Sequence, residues 1–114
     1  ISFHCKAAAD GKSLITKEHY KKMKPTAYII NAARGNMVDE KDLNDALNEK
    51  LIAGAALDVY SKEPAKENVL FNNPKVILTP HIAASTTEAS IVVAEMVANQ
   101  ISDFLLNGVK INTV

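Results

Sequence analysis

Three ionisable side chains of this chain lie where apolar runs end, and together they could bind an anion and move a proton. Arg34 and His81 each follow such a run closely, and Glu63 lies in the polar loop behind a third run. If the runs are parallel strands, their carboxyl ends meet at one edge of a sheet, which is where open α/β sheets bind ligands. Arginine pairs with a carboxylate through two hydrogen bonds, histidine exchanges a proton near neutral pH, and a neighbouring carboxylate tunes that histidine. The three residues predict an anion clamp beside a proton carrier.

Composition restricts the class of protein. The 114 residues suffice for one domain with a single core, and 47% of them are apolar. The 13 basic and 13 acidic side chains balance, which disfavours a nucleic-acid or membrane-surface binder. The single cysteine, Cys5, excludes an internal disulfide and is typical of a reducing compartment, so we expect a cytoplasmic protein.

The elements that must position these side chains follow from periodicity and from helix and strand boundaries. Thr16 and Asp39 are predicted helix caps, and Ser85 or Thr86 is predicted to cap a third helix, with Glu88 completing a capping box. The predicted elements, in chain order, are a strand at 1–5, a helix from 17 to 24, a strand at 27–32, a helix at 40–50, strands at 53–59 and 75–79, and a long helix ending near 107–108.

This β-α-β-α-β-β-α order, with strands too apolar to be half exposed, predicts an α/β fold with a mostly parallel sheet covered by helices. It is similar to the second half of a doubly wound, Rossmann-type sheet with flanking helices. The four glycines, at positions 11, 35, 54 and 108, leave no G-x-G-x-x-G loop in the chain. Because the chain also opens inside a predicted strand, at Ile1, we expect it to be part of a longer protein.

Three motifs carry a resemblance to a known family. They are N-A-A-R-G at 31–35, A-L-D-V at 56–59 followed by K-E-P at 62–64, and P-H-I-A-A-S-T-T-E-A at 80–89. In this order and spacing they resemble the D-isomer-specific 2-hydroxyacid dehydrogenase family, over essentially the whole chain. The resemblance implies a partial NAD-binding domain at 1–108, without its Gly-rich first half, and at 109–114 the start of a segment leading back to a substrate domain.

The resemblance also assigns roles to single residues. It implies that Arg34 holds the substrate carboxylate and that His81, paired with Glu63, transfers the proton. The cofactor-binding positions that it implies are Cys5, Ala32, Ala33, Arg34, Asp58, His81, Ala83 and Ala84. No metal ligand set is expected.

The chain departs from the family pattern after its first strand. The family usually has L-H-x-P followed by a threonine, whereas this chain has F-H-C-K at 3–6 and then Ala8. The proline and the threonine, which would stiffen the loop and contact the cofactor, are therefore missing. His4 matches a structural position of the family, and His19 is predicted to be an exposed helix residue, so neither is a catalytic candidate.

The expected activity is NAD-dependent oxidation of a D-2-hydroxy acid, and the stretches 80–89 and 106–114 are most similar to members that act on 3-phosphoglycerate in serine biosynthesis. Two alternatives stay open: a dehydrogenase or reductase for another 2-hydroxy or 2-keto acid, and a catalytically silent fragment or interaction module. We expect a small-molecule substrate, a homodimer or higher homo-oligomer of the full-length protein, and neither nucleic acid nor membrane as partner. The sequence leaves NAD against NADP open.

Overall fold

The predicted element order is present in the computed structural model, which describes residues 1–112. It divides into two units, Ile1–His81 and a second that begins at Ile82. The elements are β1 (Ser2–Phe3), α1 (Lys17–Tyr20), β2 (Tyr28–Asn31), a 3₁₀ turn (Gly35–Met37), α2 (Glu40–Asn48), β3 (Gly54–Leu57), β4 (Val76–Leu78) and α3 (Thr87–Asn107). The prediction for 109–114 extends to two residues, 113 and 114, that lie outside the described part.

The four strands form one parallel sheet in the order β1-β2-β3-β4, which confirms the predicted fold class. Their carboxyl ends are level, because Phe3 pairs with Asn31, Asn31 with Leu57, and Leu57 with Leu78. The loops that follow the four strands therefore leave the sheet along one edge, and these loops carry the predicted site residues.

The core of the first unit lies against one face of the sheet. Side chains alternate along β2: Ile29 is fully buried, whereas Tyr28 and Ile30 are exposed. The helices α1 and α2 cover the buried face with the large side chains Tyr20, Leu43 and Leu47. The predicted parallel sheet with flanking helices is thus present in this unit.

Capping follows the predictions with one correction. Asp39 caps α2 by accepting a hydrogen bond from the Asp42 N–H at 2.9 Å. Thr86 caps α3, and its hydroxyl accepts from the Ala89 N–H at 3.1 Å. The predicted capping box of α3 was wrong, because Ala89 rather than Glu88 occupies the third helical position. Gly108, with φ of +67°, ends this helix in the left-handed conformation that glycine adopts without cost.

The α3 helix is long and apolar. None of its described residues is buried. By length and composition alone it meets the criterion for a helix that crosses a membrane, a criterion that core helices of water-soluble proteins also meet.

Candidate active site

Glu63 and His81 form the central pair of the site. Glu63 Oε2 lies 2.6 Å from His81 Nδ1, and Glu63 Oε1 accepts a hydrogen bond of 2.9 Å from the Tyr60 N–H. The Tyr60 N–H and, after it, the bond with His81 lower the pKa of the Glu63 carboxyl below its ordinary value. An ionised carboxylate only accepts, so Nδ1 of His81 carries the hydrogen. The other ring nitrogen, Nε2, is then the atom left to exchange a proton with a ligand.

The backbone of His81 is held in an unusual conformation. Its φ is +56°, in the left-handed region that residues other than glycine rarely adopt. Two hydrogen bonds fix the strand end before it: the Thr79 N–H donates to the Leu57 carbonyl at 3.0 Å, and the Tyr60 hydroxyl donates to the Thr79 carbonyl at 2.8 Å. Backbone strain of this kind is concentrated at functional sites, where the surrounding structure maintains it.

A buried asparagine shapes the loop that carries Arg34. Asn31 ends β2 with its side chain fully buried. Its amide nitrogen donates to the Arg34 carbonyl at 2.9 Å, and its amide oxygen accepts from the Ala33 N–H at 3.1 Å. Asparagine commonly bonds to nearby backbone in such turns. The motif at 31–35 contains Asn31 but predicts no role for it; the signal for this role is a polar residue at the end of an apolar run.

The Arg34 guanidinium is available to an anionic ligand. Its Nη1 donates to the Ala33 carbonyl at 2.6 Å, and it forms no ion pair with any carboxylate of residues 1–112. Its other donors are therefore free to make the paired bonds that a carboxylate accepts.

All three predicted catalytic residues line one open hollow of about 440 Å³, together with Gly35, Val59, Tyr60 and Ser61. The loops meet closely at Gly35: a Cβ built there would lie 1.8 Å from the Tyr60 carbonyl oxygen. Only glycine allows this approach. The structure thus brings Arg34, Glu63 and His81 together at the carboxyl edge of the sheet.

A second hollow, of about 610 Å³, opens between the ends of β1 and β2. Its lining is Phe3, His4, Cys5, Lys6, Ala7, Ala32, Ala33 and Arg34, and so it contains four of the predicted cofactor-binding positions. The small alanine side chains leave room for a flat ring beside Arg34. In these respects the residues fit the nicotinamide end of a dinucleotide. His4 lines this hollow with its Nε2 2.8 Å from the Ser2 hydroxyl, and His19 is an exposed residue beside the Thr16 cap of α1.

The other predicted cofactor positions that do not line this hollow include Asp58, Ala83 and Ala84. Asp58 follows β3 and is buried, and the Thr79 hydroxyl donates to its Oδ1 at 2.5 Å. Ala83 and Ala84 are exposed in the unit that begins at Ile82, and their place at the cofactor stays a prediction. Among the described residues no cluster of His, Cys, Asp and Glu side chains could hold a metal ion.

With this geometry established, the chain can be placed in a family. Residues 1–83 match the model of the family described as D-isomer specific 2-hydroxyacid dehydrogenase, NAD binding domain. The chain belongs to this family.

Curated relatives agree. The chain is 48% identical over 106 residues to D-3-phosphoglycerate dehydrogenase of Synechocystis sp., an alignment that covers 93% of this chain and 19% of that protein. It is also 48% identical over 91 residues to glyoxylate reductase of Pyrococcus furiosus, covering 80% of this chain and 27% of the relative. The chain therefore spans about a fifth to a quarter of the length of these relatives.

Solved structures show the same fold. A glyoxylate reductase from Paecilomyes thermophila superimposes with a TM-score of 0.84 at 34% identity, covering 96% of this chain and 34% of that one. D-lactate dehydrogenase with NAD⁺ from Lactobacillus jensenii gives a TM-score of 0.79 at 30% identity, covering 99% of this chain and 38% of that one. Both neighbours support the assignment of a Rossmann-type domain.

Proposed function

We propose that the protein to which this chain belongs is an NAD-dependent dehydrogenase that oxidises a D-2-hydroxy acid. The observation that carries the proposal is the Glu63–His81 pair, at 2.6 Å, which lines the same hollow as Arg34. A 2-hydroxy acid offers one carboxylate for the clamp and one hydroxyl proton for the histidine, so its two functional groups match the two halves of the site.

Each residue has a defined part. Arg34 binds the carboxylate and orients the neighbouring C2 oxygen by paired hydrogen bonds. Nε2 of His81 accepts the hydroxyl proton during oxidation and returns it during reduction. Glu63 keeps the proton on Nδ1 and stabilises the imidazolium that forms. The two directions of reaction therefore need opposite protonation states of His81.

The cofactor supplies the hydride chemistry. NAD, when bound, accepts the hydride that leaves C2. Cys5, Ala32 and Ala33 would hold its nicotinamide end in the hollow beside Arg34. This arrangement would place the carboxylate clamp next to the ring that receives the hydride.

For the substrate we propose D-3-phosphoglycerate, which would place the enzyme in serine biosynthesis. The support is the group of relatives named D-3-phosphoglycerate dehydrogenase, at 41–48% identity over 91–100% of this chain. The second candidate is glyoxylate or another small 2-keto acid as substrate of a reductase, which the 48% identity to the Pyrococcus furiosus glyoxylate reductase favours.

Steady-state assays of the full-length protein test both proposals. The enzyme is given NAD with a panel of D-2-hydroxy acids, and NADH with glyoxylate and hydroxypyruvate. We expect NADH formation to be fastest with D-3-phosphoglycerate. Preference for another acid would replace the substrate and keep the reaction class, whereas no turnover of any panel member would refute the catalytic proposal.

Two further properties are proposed for the full-length protein. We propose that it is cytoplasmic, on the basis of its single cysteine in these 114 residues, and that it forms a homodimer or higher homo-oligomer. Light scattering of the purified full-length protein tests the second property; a monomer at micromolar concentration would contradict it.

A further inference from the structure

A carboxylate outside the catalytic set holds the loop that carries Glu63. Glu40, the first residue of α2, accepts two hydrogen bonds from Ser61: the backbone N–H donates to Oε1 at 2.7 Å, and the hydroxyl donates to Oε2 at 2.8 Å. The two residues are 21 positions apart in the chain. Glu40 thereby ties the loop after β3 to the start of a helix that Asp39 caps.

The contact fixes the peptide plane between Tyr60 and Ser61 from both sides. Its N–H group donates to Glu40, and its carbonyl packs against Gly35, where an added Cβ would lie 1.8 Å from the oxygen. A peptide plane held at both its N–H and its C=O cannot rotate without losing one of these contacts. The conformation of Tyr60 is restricted as a result.

Tyr60 in turn orients the catalytic carboxylate. Its own N–H donates to Glu63 Oε1 at 2.9 Å, which leaves Oε2 for His81 at 2.6 Å. The position of Oε1 is set by the loop, through the Tyr60 N–H. Because both oxygens belong to one rigid carboxylate, the position of Oε2 beside the imidazole is set as well. Glu40 is therefore connected to His81 through Ser61, Tyr60 and Glu63, without contact to the reacting atoms.

We propose that Glu40 is a positioning residue that sets the orientation of Glu63, and through it the tautomer of His81. Its effect on turnover rests on the proposed function, whereas its effect on the tautomer does not. If Ser61 is released, the Tyr60 N–H moves relative to Glu63, and His81 Nδ1 loses the acceptor that keeps its proton there.

The competing explanation is that Glu40 only stabilises α2, because acidic residues in the first turn of a helix interact favourably with its dipole. Asp42 separates the two explanations. It is also a first-turn carboxylate of α2 and also accepts a backbone N–H from another segment, that of Lys17 at 2.8 Å. It does not hold the loop of Glu63, so Asp42→Ala is the matched control.

The experiment compares four variants of the full-length protein. Glu40→Ala removes both bonds to Ser61, and Ser61→Ala removes only the hydroxyl bond. Glu40→Gln keeps an oxygen for the Ser61 N–H and places an NH₂ group beside the Ser61 hydroxyl, so it should rescue the contact. Asp42→Ala is the control for helix stability, and it covers the case in which loss of a first-turn carboxylate merely unfolds the helix.

The first measurement is the ¹⁵N spectrum of the histidine-labelled protein, with the His81 signals assigned from a His81→Gln sample. We expect one tautomer, with the proton on Nδ1, in the wild type, Glu40→Gln and Asp42→Ala. We expect a mixture of the two tautomers in Glu40→Ala. This readout requires no substrate and no turnover.

The second measurement is kcat/KM. Loss of a hydrogen bond to a charged group lowers kcat/KM by a factor of about 10 when the whole loss is felt in the transition state. Glu40→Ala should therefore lower kcat/KM about 10-fold, and Ser61→Ala should lower it less. The Glu40→Ala substitution is also made in the Glu63→Ala variant, which has no carboxylate left to position. There Glu40→Ala should lower kcat/KM by less than about 3-fold, because the effects of residues that act through one another are not additive.

A wild-type tautomer in Glu40→Ala, or an undiminished penalty in the Glu63→Ala background, would overturn the proposal. A tautomer change shared equally by Asp42→Ala would overturn it as well, because helix stability alone would then explain the effect. If the wild type turns over no acid of the panel, the proposed function fails, and the tautomer comparison still decides the role of Glu40.

Discussion

The Glu63 carboxylate divides its two oxygens between the backbone and the imidazole. The Tyr60 N–H holds Oε1, and His81 Nδ1 holds Oε2. Both bonds favour the ionised form, and the pKa of the Glu63 carboxyl is accordingly lowered. The pair is therefore assembled at neutral pH and is lost only as acid protonates Glu63. The charge of this residue, as distinct from its shape, can be tested.

Glu63→Gln preserves the shape and removes the charge. Without the negative charge, the glutamine no longer stabilises the positively charged form of the imidazole beside it. In the proposed reaction, reduction uses the protonated histidine, so the pH above which reduction declines should move downwards in Glu63→Gln. The pH dependence of kcat in both directions measures this shift. Glu67→Gln, an exposed glutamate of the same loop, is the control, and equal profiles for all three proteins would contradict the pairing of Glu63 with His81.

At Arg34, a single substitution can keep the positive charge and remove the planar guanidinium group. Arg34→Lys retains the positive charge but cannot make two parallel hydrogen bonds. Loss of one charged hydrogen bond costs about 1.5–3 kcal/mol, so kcat/KM should fall by roughly 10- to 150-fold, with KM raised and kcat lowered. The affinity for the coenzyme should change much less.

The thermal midpoint of the same Arg34→Lys protein is the control. Arg34 forms no ion pair within the described residues, so we expect the midpoint to be unchanged. A lowered midpoint with kcat/KM within about threefold of wild type would assign Arg34 to the structure and remove it from the site.

At the scale of the elements, the loops after β2 and β3 meet at Gly35, which of the four glycines has the least room for an added Cβ. Gly35→Ala would place a Cβ at 1.8 Å from the Tyr60 carbonyl oxygen, and backbone must move to accept it. We expect a loss of at least about 3 kcal/mol in the free energy of unfolding, at the upper end of the range for overpacking. The loops of Arg34 and Glu63 would separate, so activity should also be lost.

Gly11→Ala is the matched control for Gly35→Ala. Gly11 has φ of +70° and open space around it, so alanine there costs only the left-handed backbone, about 1–2 kcal/mol. Unfolding by denaturant measures the free energy of unfolding of both variants, and kcat measures their activity. Equal destabilisation, with activity retained in both, would show that the contact at Gly35 does not hold the site together.

The elements were more predictable than the loops between them. Each predicted strand and helix is present, because periodicity and capping residues such as Asp39 are local signals. The strand predicted at 1–5 is only Ser2–Phe3, and the helix predicted at 17–24 is only Lys17–Tyr20. Such ends depend on tertiary contacts that a local pattern does not contain.

The site was predictable only in part, for the same reason. Arg34, Glu63 and His81 could be named from their motifs, and the level ends of the strands bring them together. The bonds from Glu40 to Ser61 join positions 21 apart and leave no pattern in the sequence. Contacts between loops are set by the packing of the elements, which no motif describes.

At the scale of the whole chain, the carboxyl edge of the sheet is where we propose that one end of the dinucleotide binds. One hollow there is lined by Ala32, Ala33 and Arg34, and the neighbouring hollow by Arg34, Glu63 and His81. Pyrophosphate in Rossmann domains is bound by a Gly-rich turn at a helix N-terminus. The glycines at positions 11, 35, 54 and 108 cannot form that turn. Under the proposed function the residues of this chain would supply chemistry and orientation, and we expect them to contribute little of the affinity for the coenzyme.

Residues 1–114, produced alone, should accordingly bind NADH far more weakly than the full-length protein. Pyrophosphate contributes several charge-assisted hydrogen bonds, each worth about 1.5–3 kcal/mol, and the loss of two of them already weakens binding by a factor of roughly 10² to 10⁴. Fluorescence titration with NADH measures both proteins under one condition, and circular dichroism first establishes that the shorter chain is folded. We expect no saturation of the 114-residue chain below millimolar NADH. Micromolar affinity of the folded chain for NADH would contradict this expectation, because these residues would then bind the coenzyme tightly without a Gly-rich loop.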